Sequence, residues 1–525
     1  MKKVISFLAA TLCAFSPLLS QYPFIEWQNT IGGDDIDVLN CLQQTFDGGY
    51  ILGGYSKSNI SDDKTENSIG IGDYWVVKLD PNGDVEWQNT IGGGSNDELT
   101  SLQQTIDGGY ILGGYSNSYI SGDKTEHSVG YDDYWVVKLN SIGDIQWQNT
   151  IGGNSYEYFT SIQQTSDKGF ILGGTSLSDI SGDKTENNWG SIDFWVVKLD
   201  TSGAIQWQNT IGGESDDRLH SLQQTTDGGY IIGGSSSSNN WGDKTENRIG
   251  QFDYWVVKLD AAGAIQWQNT IGGSFNDQLY SIQQTADGGY ILGGDSNSNI
   301  SGDKTENSLG SHDFWVVKLD TDGVIQWQNT IGGSSDDFLH SLQQTVDGGY
   351  ILGGSSSSDI SGDKNQNSRG GLDYWVVKID NLGVIQWQLT IGGSSGDGLN
   401  SICQTNDNGY ILGGISHSYF SFDKIESNLG NGDYWVVKLS PTHLHAGEAL
   451  PPLTGITLFP NPATDALFVY SEATSTLCLR NIFGLVLSTH TIQGESEIDL
   501  SRYPNGIYFL IEMETGIGHR ILKTK

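Results

Sequence analysis

The chain has 525 residues, 71 of them Gly and only 9 Pro, and a formal charge of −37. That sign of charge excludes a nucleic-acid reader, which needs a basic footprint for phosphate. Gly at about twice its usual ~7% share suits an all-β chain with many tight turns.

Met1–Ser20 places Lys2 and Lys3 ahead of an apolar run from Val4 to Leu19. Its charge, length and position predict a secretory signal peptide over 1–20, cleaved near Ser20–Gln21. Leu12 before Cys13 does not suit a lipoprotein signal. No later stretch approaches the ~18 apolar residues that span a bilayer, so no transmembrane segment is expected.

Residues 21–440 read as seven 60-residue units. Each has two short strands around an Asp-Gly-Gly-type turn, such as Glu98–Thr105 and Tyr110–Ser116. A long connection follows, then a hairpin such as DYWVVKLDPNGDVEWQNTI. Trp75 recurs every 60 residues through Trp435 in the third strand, and Trp27 and Trp87 through Trp387 in the fourth. Both sets are expected in the core between sheets. The last unit lacks a fourth strand, while Phe24–Ile31 supplies a spare one at the other end. A β-propeller of seven blades, closed by that N-terminal strand, leaves no open edge.

The mature chain keeps Cys41, Cys403 and Cys478, an odd count that rules out a full disulfide framework. Ring closure would place Cys41 and Cys403 in neighbouring blades, where a bridge is one outcome.

Internal comparison separates scaffold from candidate site. The acid at 37 (Glu at 157), the Asp63-Lys64 pair, Asp73 and Lys78 recur in every unit. Seven copies point to architecture: Asp side chains bonding backbone in turns, and Asp–Lys pairs between blades. Seven calcium sites are the sharper alternative, though no segment matches the calcium loop pattern. No cofactor is expected.

Function is expected where the units differ. The register of Val38 carries Glu98, Tyr158, Arg218, Gln278, Phe338 and Gly398. That of Asn40 carries Thr100, Thr160, His220, Tyr280, His340 and Asn400. The long connections add Tyr119, Trp189 and Trp241. Candidate ligand-binding residues are therefore Tyr158, Arg218, His220, Tyr280, Phe338, His340, Trp189, Trp241 and Tyr119. No catalytic residue set stands out: there is no G-x-S-x-G, H-E-x-x-H or phosphate loop, and no unit shows an acid, His or Cys in a context the others lack.

Residues 441–452 read as a linker. After it come ITLFPNPATDALFVY (456–470), an Ile-Phe-Gly turn (482–484), IDLSRYPNGIYFLIEM (498–513) and Ile521-Leu522-Lys523. Over about seventy residues this segment, 453–525, closely resembles the C-terminal sorting domain of the type IX (Por) secretion system of Bacteroidota. The resemblance implies a small Ig-like β-sandwich. It also implies recognition by the type IX machinery through Pro460, Asn461, Pro462, Gly484, Leu500, Gly506, Tyr508 and Lys523, and a secreted or cell-surface destination. Leu485 stands where a Lys is common in that family. The turn LDxxGxIQW, as in Leu199–Trp207, is similar to the tryptophan-docking turn of quinoprotein-type propellers; this implies a propeller setting and nothing about a quinone.

The expected function is binding or adhesion, with a glycan or a protein as ligand. The alternatives are a carbohydrate-active enzyme using the propeller channel and a structural surface component.

Overall fold

The computed structural model describes residues 23–441 and, further on, 456–459, 466–481, 486–504, 506–512 and 518–523. The expected signal peptide, nearly all of the linker, and Pro460, Asn461, Pro462 and Gly484 lie outside the described residues. The described elements are all strands, in two compact units divided between Thr442 and His443.

The first unit is seven four-stranded antiparallel sheets. In the second sheet the order is Asp97–Gln104, Tyr110–Ser116, Asp133–Leu139 and Ile145–Ile151. The first strand of each sheet is innermost. Inner strands of neighbouring sheets touch all the way round, including Asp37–Gln44 against Asp397–Gln404, so the ring closes. The seventh sheet takes its outer strand, Ile25–Ile31, from the N-terminus; Ile31 lies opposite Tyr434 and Thr30 opposite Trp435. The Trp435 indole N–H donates to Gln28 Oε1 at 3.1 Å, and Lys424 Nζ reaches Thr30 Oγ1 at 2.6 Å. The second blade makes the same bonds within its own continuous chain, Trp135 to Gln148 at 3.1 Å and Lys124, on the long connection, to Thr150 at 2.7 Å.

A β-bulge explains the uneven apolar spacing of the inner strands. Leu99 lies opposite Gly114 and Ser101 opposite Gly113, which leaves Thr100 as the extra residue. Leu99 and Leu102, three apart, therefore share one face and fill the core between blades. The second strand needs its two glycines there. A Cβ on Gly113 would stand 2.3 Å from the Phe159 ring of the next blade, and one on Gly114 would stand 2.0 Å from the Glu98 carbonyl.

The two tryptophan sets separate. All seven third-strand tryptophans are fully buried. Each contributes up to about 4–6 kcal/mol at ~25 cal/mol/Å² of buried area, an upper bound because the unfolded chain also hides apolar surface. The outer-strand tryptophans are only half-buried, with Trp387 the buried exception. The expectation of two core tryptophans per blade is corrected accordingly. Trp87 packs edge-on against Tyr110 at 5.7 Å, beside the turn glycine Gly143 of the next blade. Asn89 Nδ2 donates to that glycine's carbonyl at 2.8 Å. In six of the seven blades the outer set thus pins a blade to its neighbour's hairpin turn.

The recurring acids do anchor turns. Asp97 Oδ2 accepts from Gly93 N at 2.7 Å and Ser118 Oγ at 3.0 Å. The Asp–Lys pairs, however, form within blades. Lys78 meets Asp47 at 3.1 Å across its own sheet, and Lys64 sits over the Trp75 ring at 5.4 Å. What crosses between blades is a bond to backbone, from Gly92 N to Asp123 Oδ2 at 3.2 Å.

The second unit is a five-stranded sheet. Its long strand Ala466–Asn481 changes register between Ser471 and Ser475. Before that shift it pairs with Ile456–Phe459, and after it with Gly506–Glu512. Leu467 and Val469 from one half and Leu477 and Leu479 from the other enter a single core with Leu500, Tyr508 and Ile521. Lys523 is buried and donates to the Tyr503 carbonyl at 2.7 Å.

Candidate functional site

The scaffold is nearly identical seven times, so side chains that break the repeat identify the site. They gather at one mouth of the channel, where the inner strands begin. A cavity of about 520 Å³ is lined there by Asn40, Tyr55, Glu98, Tyr115, His220, Tyr280 and His340, among others. The opposite end is nearly uniform, a ring of Leu or Ile and Gln from Leu42 and Gln43 onward, with Cys403 in place of Gln in the last blade. There the Gln side chains link blades, as when Gln103 Oε1 accepts from Gln164 N at 2.6 Å.

The bulge positions the channel residues. Because the residue after Leu39 is the extra one, its side chain reaches the next blade's backbone. Asn40 Nδ2 donates to Leu99 O at 2.8 Å, and Asn400 Nδ2 to Leu39 O at 2.7 Å. His340 Nδ1 lies 2.8 Å from Leu399 O and so carries the proton. On three consecutive blades this position forms an aromatic arc. His220 and Tyr280 have ring centroids 5.0 Å apart, and Tyr280 and His340 5.8 Å. Burial lowers the His220 pKa to about 4, so its imidazole is neutral. Tyr280 donates to Gln278 Oε1 at 2.9 Å.

Above the arc, Arg218 pairs with Asp216 at 3.0 Å and stacks over Phe252 at 5.2 Å. Phe338 packs on His312, with centroids 5.3 Å apart. Tyr158 stands edge-on to Tyr115 and nearly parallel to Tyr156, which in turn stacks on Tyr131 at 4.7 Å. Glu98 accepts from Asn96 Nδ2 at 2.7 Å and from the Tyr115 hydroxyl. Nearby, Asp132 is raised above the usual carboxylate range by burial and by the Glu98 charge.

Three of the nine predicted residues, His220, Tyr280 and His340, line the mouth cavity, and Tyr158, Arg218 and Phe338 stand beside it two residues earlier on the inner strands, outside its lining. The other three lie elsewhere. Trp189 joins a separate cavity with Asn209 and Thr210 of an outermost strand; Trp241 and Tyr119 are exposed on the long connections.

Sequence reasoning missed Tyr115, Tyr131, Tyr156, Phe252 and, above all, Asp295 with His312. This pair contradicts the expectation that no unit holds an acid or His in a context the others lack. Asp295 stands where other blades carry Tyr, Thr, Ser or Ile, and His312 where they carry Gly, Asp, Ile, Phe or Leu. The signal is present in the sequence, since both columns vary more than that of Asn40.

Cys41 and Cys403 are free thiols. Each replaces a link between blades. Ser101 Oγ accepts from Ile162 N at 3.2 Å where Cys41 stands in its own blade, and Gln343 Oε1 accepts from Gln404 N at 2.7 Å where Cys403 stands. Among the described residues no three His, Cys, Asp or Glu side chains group as a metal site.

Comparison with known proteins identifies the second unit. Residues 457–521 match the family described as the secretion system C-terminal sorting domain. This part of the chain is a type IX sorting tail, which implies export to the cell surface or the medium. Over 132 residues the chain is 26% identical to the regulatory protein FlaEY of Caulobacter vibrioides, a match that spans 24% of this chain and 14% of that protein. Among solved structures, Sqt1 from Chaetomium thermophilum aligns with a TM-score of 0.40 at 11% identity, covering 80% of this chain and all of its own. BBS1N, in complex with ARL6DN, aligns at 0.42 and 9% identity, covering 82% and 99%. The seven-bladed architecture rests on the strand pairing itself.

Proposed function

We propose that this chain is an exported β-propeller that binds a glycan or a protein at the variable mouth of its channel. One observation carries this reading. In a scaffold repeated almost without change, the departures concentrate around a single cavity, while the opposite end departs from its Leu or Ile and Gln pattern only at Cys403. Loops and strand ends on a rigid framework are where recognition is built. The mouth offers aromatic rings (Tyr131, Tyr156, Tyr158, Phe338) beside both signs of charge (Arg218, Glu98, Asp132). Signal-peptide export in a Bacteroidota host, an Ig-like form for the tail, and the absence of catalysis belong to the same proposal.

The test is retention of the full chain on immobilised glycans and on the producing cell's surface proteins, with soluble sugar release followed alongside. Retention lost in Y158A/R218A/F338A, without sugar release, supports the reading. Retention unchanged in that variant refutes it.

A carbohydrate-active enzyme is the second reading, favoured by two features of the mouth: the Glu98 and Asp132 carboxylates near one another, and the Asp295–His312 pair. Sugar release that vanishes in E98Q or D132N would establish it.

A further inference from the structure

Trp189 interrupts the repeat in a different place, at the outer rim between the third and fourth blades. The equivalent residues are Ile69, Val129, Ile249, Leu309, Arg369 and Leu429. At four other junctions an aliphatic carbon from this column covers a positive-φ glycine of the next blade, as Ile69 covers Gly122. At this one an indole does so. A Cβ on Gly242 would stand 2.9 Å from Trp189 Cγ. The Asp243 carboxylate lies beside the indole in the same lining, so glycine below and carboxylate beside confine the ring. Yet Trp189 remains 51% exposed.

The confined indole walls a cavity of about 520 Å³ with Glu186, Asn187, Asn188, Asn209, Thr210 and Asp243. Their existing bonds hold them in place. Asn187 Oδ1 accepts from Ile180 N at 3.0 Å, Asn209 Nδ2 donates to Gly263 O at 2.7 Å, and Glu186 Oε2 accepts from Thr210 N at 2.7 Å. Among the described residues, Asn187 Nδ2, Asn209 Oδ1 and Glu186 Oε1 have no protein partner. The lining thus presents a preorganised aromatic face, an amide donor, an amide acceptor and carboxylate acceptors. It contains no Lys or Arg.

We propose that this rim cavity is a binding site for a neutral saccharide. A pyranose has one C–H-rich face that can lie on an indole, and rim hydroxyls that both donate and accept. The two carboxylates accept from hydroxyls but repel an anionic sugar, and the one cation bonded to the lining, Lys184, is buried behind it and engaged by Thr210 Oγ1 and Glu186 O, leaving a phosphate or uronate no exposed cation to pair with. A rigid ring and anchored amides keep the ordering cost low. This site is independent of the channel mouth.

The experiment is calorimetric titration of the full chain with neutral hexaoses (cello-, xylo-, manno-, malto- and N-acetylchito-hexaose) and with hexagalacturonate. At least one neutral hexaose should bind, hexagalacturonate should bind more weakly, and W189A should weaken the neutral ligand about tenfold or more. W189A removes an exposed side chain; N187A/E186Q supplies a second variant and should weaken binding as well. The mouth variant Y158A/R218A/F338A should leave it within about twofold. No heat with any neutral hexaose at millimolar concentration overturns the proposal, as does equal binding of hexagalacturonate. Binding lost in the mouth variant but kept in W189A also overturns it, while leaving the channel reading standing.

Discussion

His312 Nδ1 lies 2.8 Å from Oδ2 of Asp295, a carboxylate with 1% exposure, and this pairing occurs in one blade of seven. The hydrogen bond to Asp295 raises the His312 pKa above its ordinary value; burial raises that of Asp295, against the opposing pull of His312. The pair connects a second strand to the end of a long connection, at the edge of the channel mouth.

Removing one partner should therefore cost more than removing both. H312A leaves a buried carboxylate alone, a loss of about 2–4 kcal/mol. D295S restores the residue found at Ser235 and Ser355. Because the folded pKa of His312 is raised, its contribution is complete below about 6.5 and fades as pH rises through the folded value. Denaturant melts of H312A, D295S and the double variant should show the double variant more stable than H312A. In D295S the His312 ring should titrate near its ordinary value by NMR.

The N-terminal strand should act as the clasp of the ring. Without Gln21–Ile31, the third strand Asp433–Leu439 becomes an open edge, Trp435 loses Gln28, and Lys424 loses Thr30. Deletion should lower the melting temperature by several degrees, corresponding to on the order of several kcal/mol for a lost strand pairing and its apolar contacts. An unchanged melt would contradict closure.

Buried acids should make the propeller more stable in mild acid than at neutral pH. Burial raises Asp37, Asp217, Asp253 and Asp337 to about 6 and Asp193 to about 7, from 3.8. A folded pKa above the unfolded one means the folded state holds the proton more tightly. Stability from these groups therefore falls as pH climbs from about 4 to 7. The melting temperature should be higher at pH 5 than at pH 7.5, and the difference should survive 0.5 M salt, which screens surface repulsion but not these buried sites. A difference abolished by salt would assign it to the surface charge instead.

Much of this architecture could be read from the chain. The 60-residue period, the missing fourth strand and the spare Phe24–Ile31 led directly to a closed ring of seven blades. The uneven spacing of Leu99 and Leu102 became intelligible only with the bulge at Thr100, since a bulge changes which residues share a face. Half-burial of Trp87 depends on how one blade meets the next hairpin, which one unit's periodicity does not encode. Asp295 and His312 are 17 residues apart and meet because antiparallel register sets Asp295 opposite Phe314. Columns picked within one strand could not reveal a partner contributed by another. Trp189 and Trp241 were visible as breaks in the repeat, but their position at the rim, away from the channel, follows from the path of the long connection along the outer strand.

The seam between the last blade and the first lacks the Gln link that the other six junctions have, and this can be repaired. Around the ring, a Gln Oε1 accepts the backbone N–H of the next inner strand at 2.6–2.8 Å, from Gln43 with Gln104 through Gln343 with Gln404. At the seam the acceptor is Cys403, which faces Gln44 N, and sulfur is a weak acceptor. Burial pushes the Cys403 thiol up to about 11, so it remains a thiol and gains no strength as a thiolate. C403Q should install the seventh link and stabilise the chain by about 0.5–1 kcal/mol. The gain should vanish in the strand-deleted chain if it acts only through an intact ring. Native Cys403 should also resist alkylation at pH 8 and react on unfolding. A C403Q variant less stable than the parent would show that the seam has adapted to the smaller side chain.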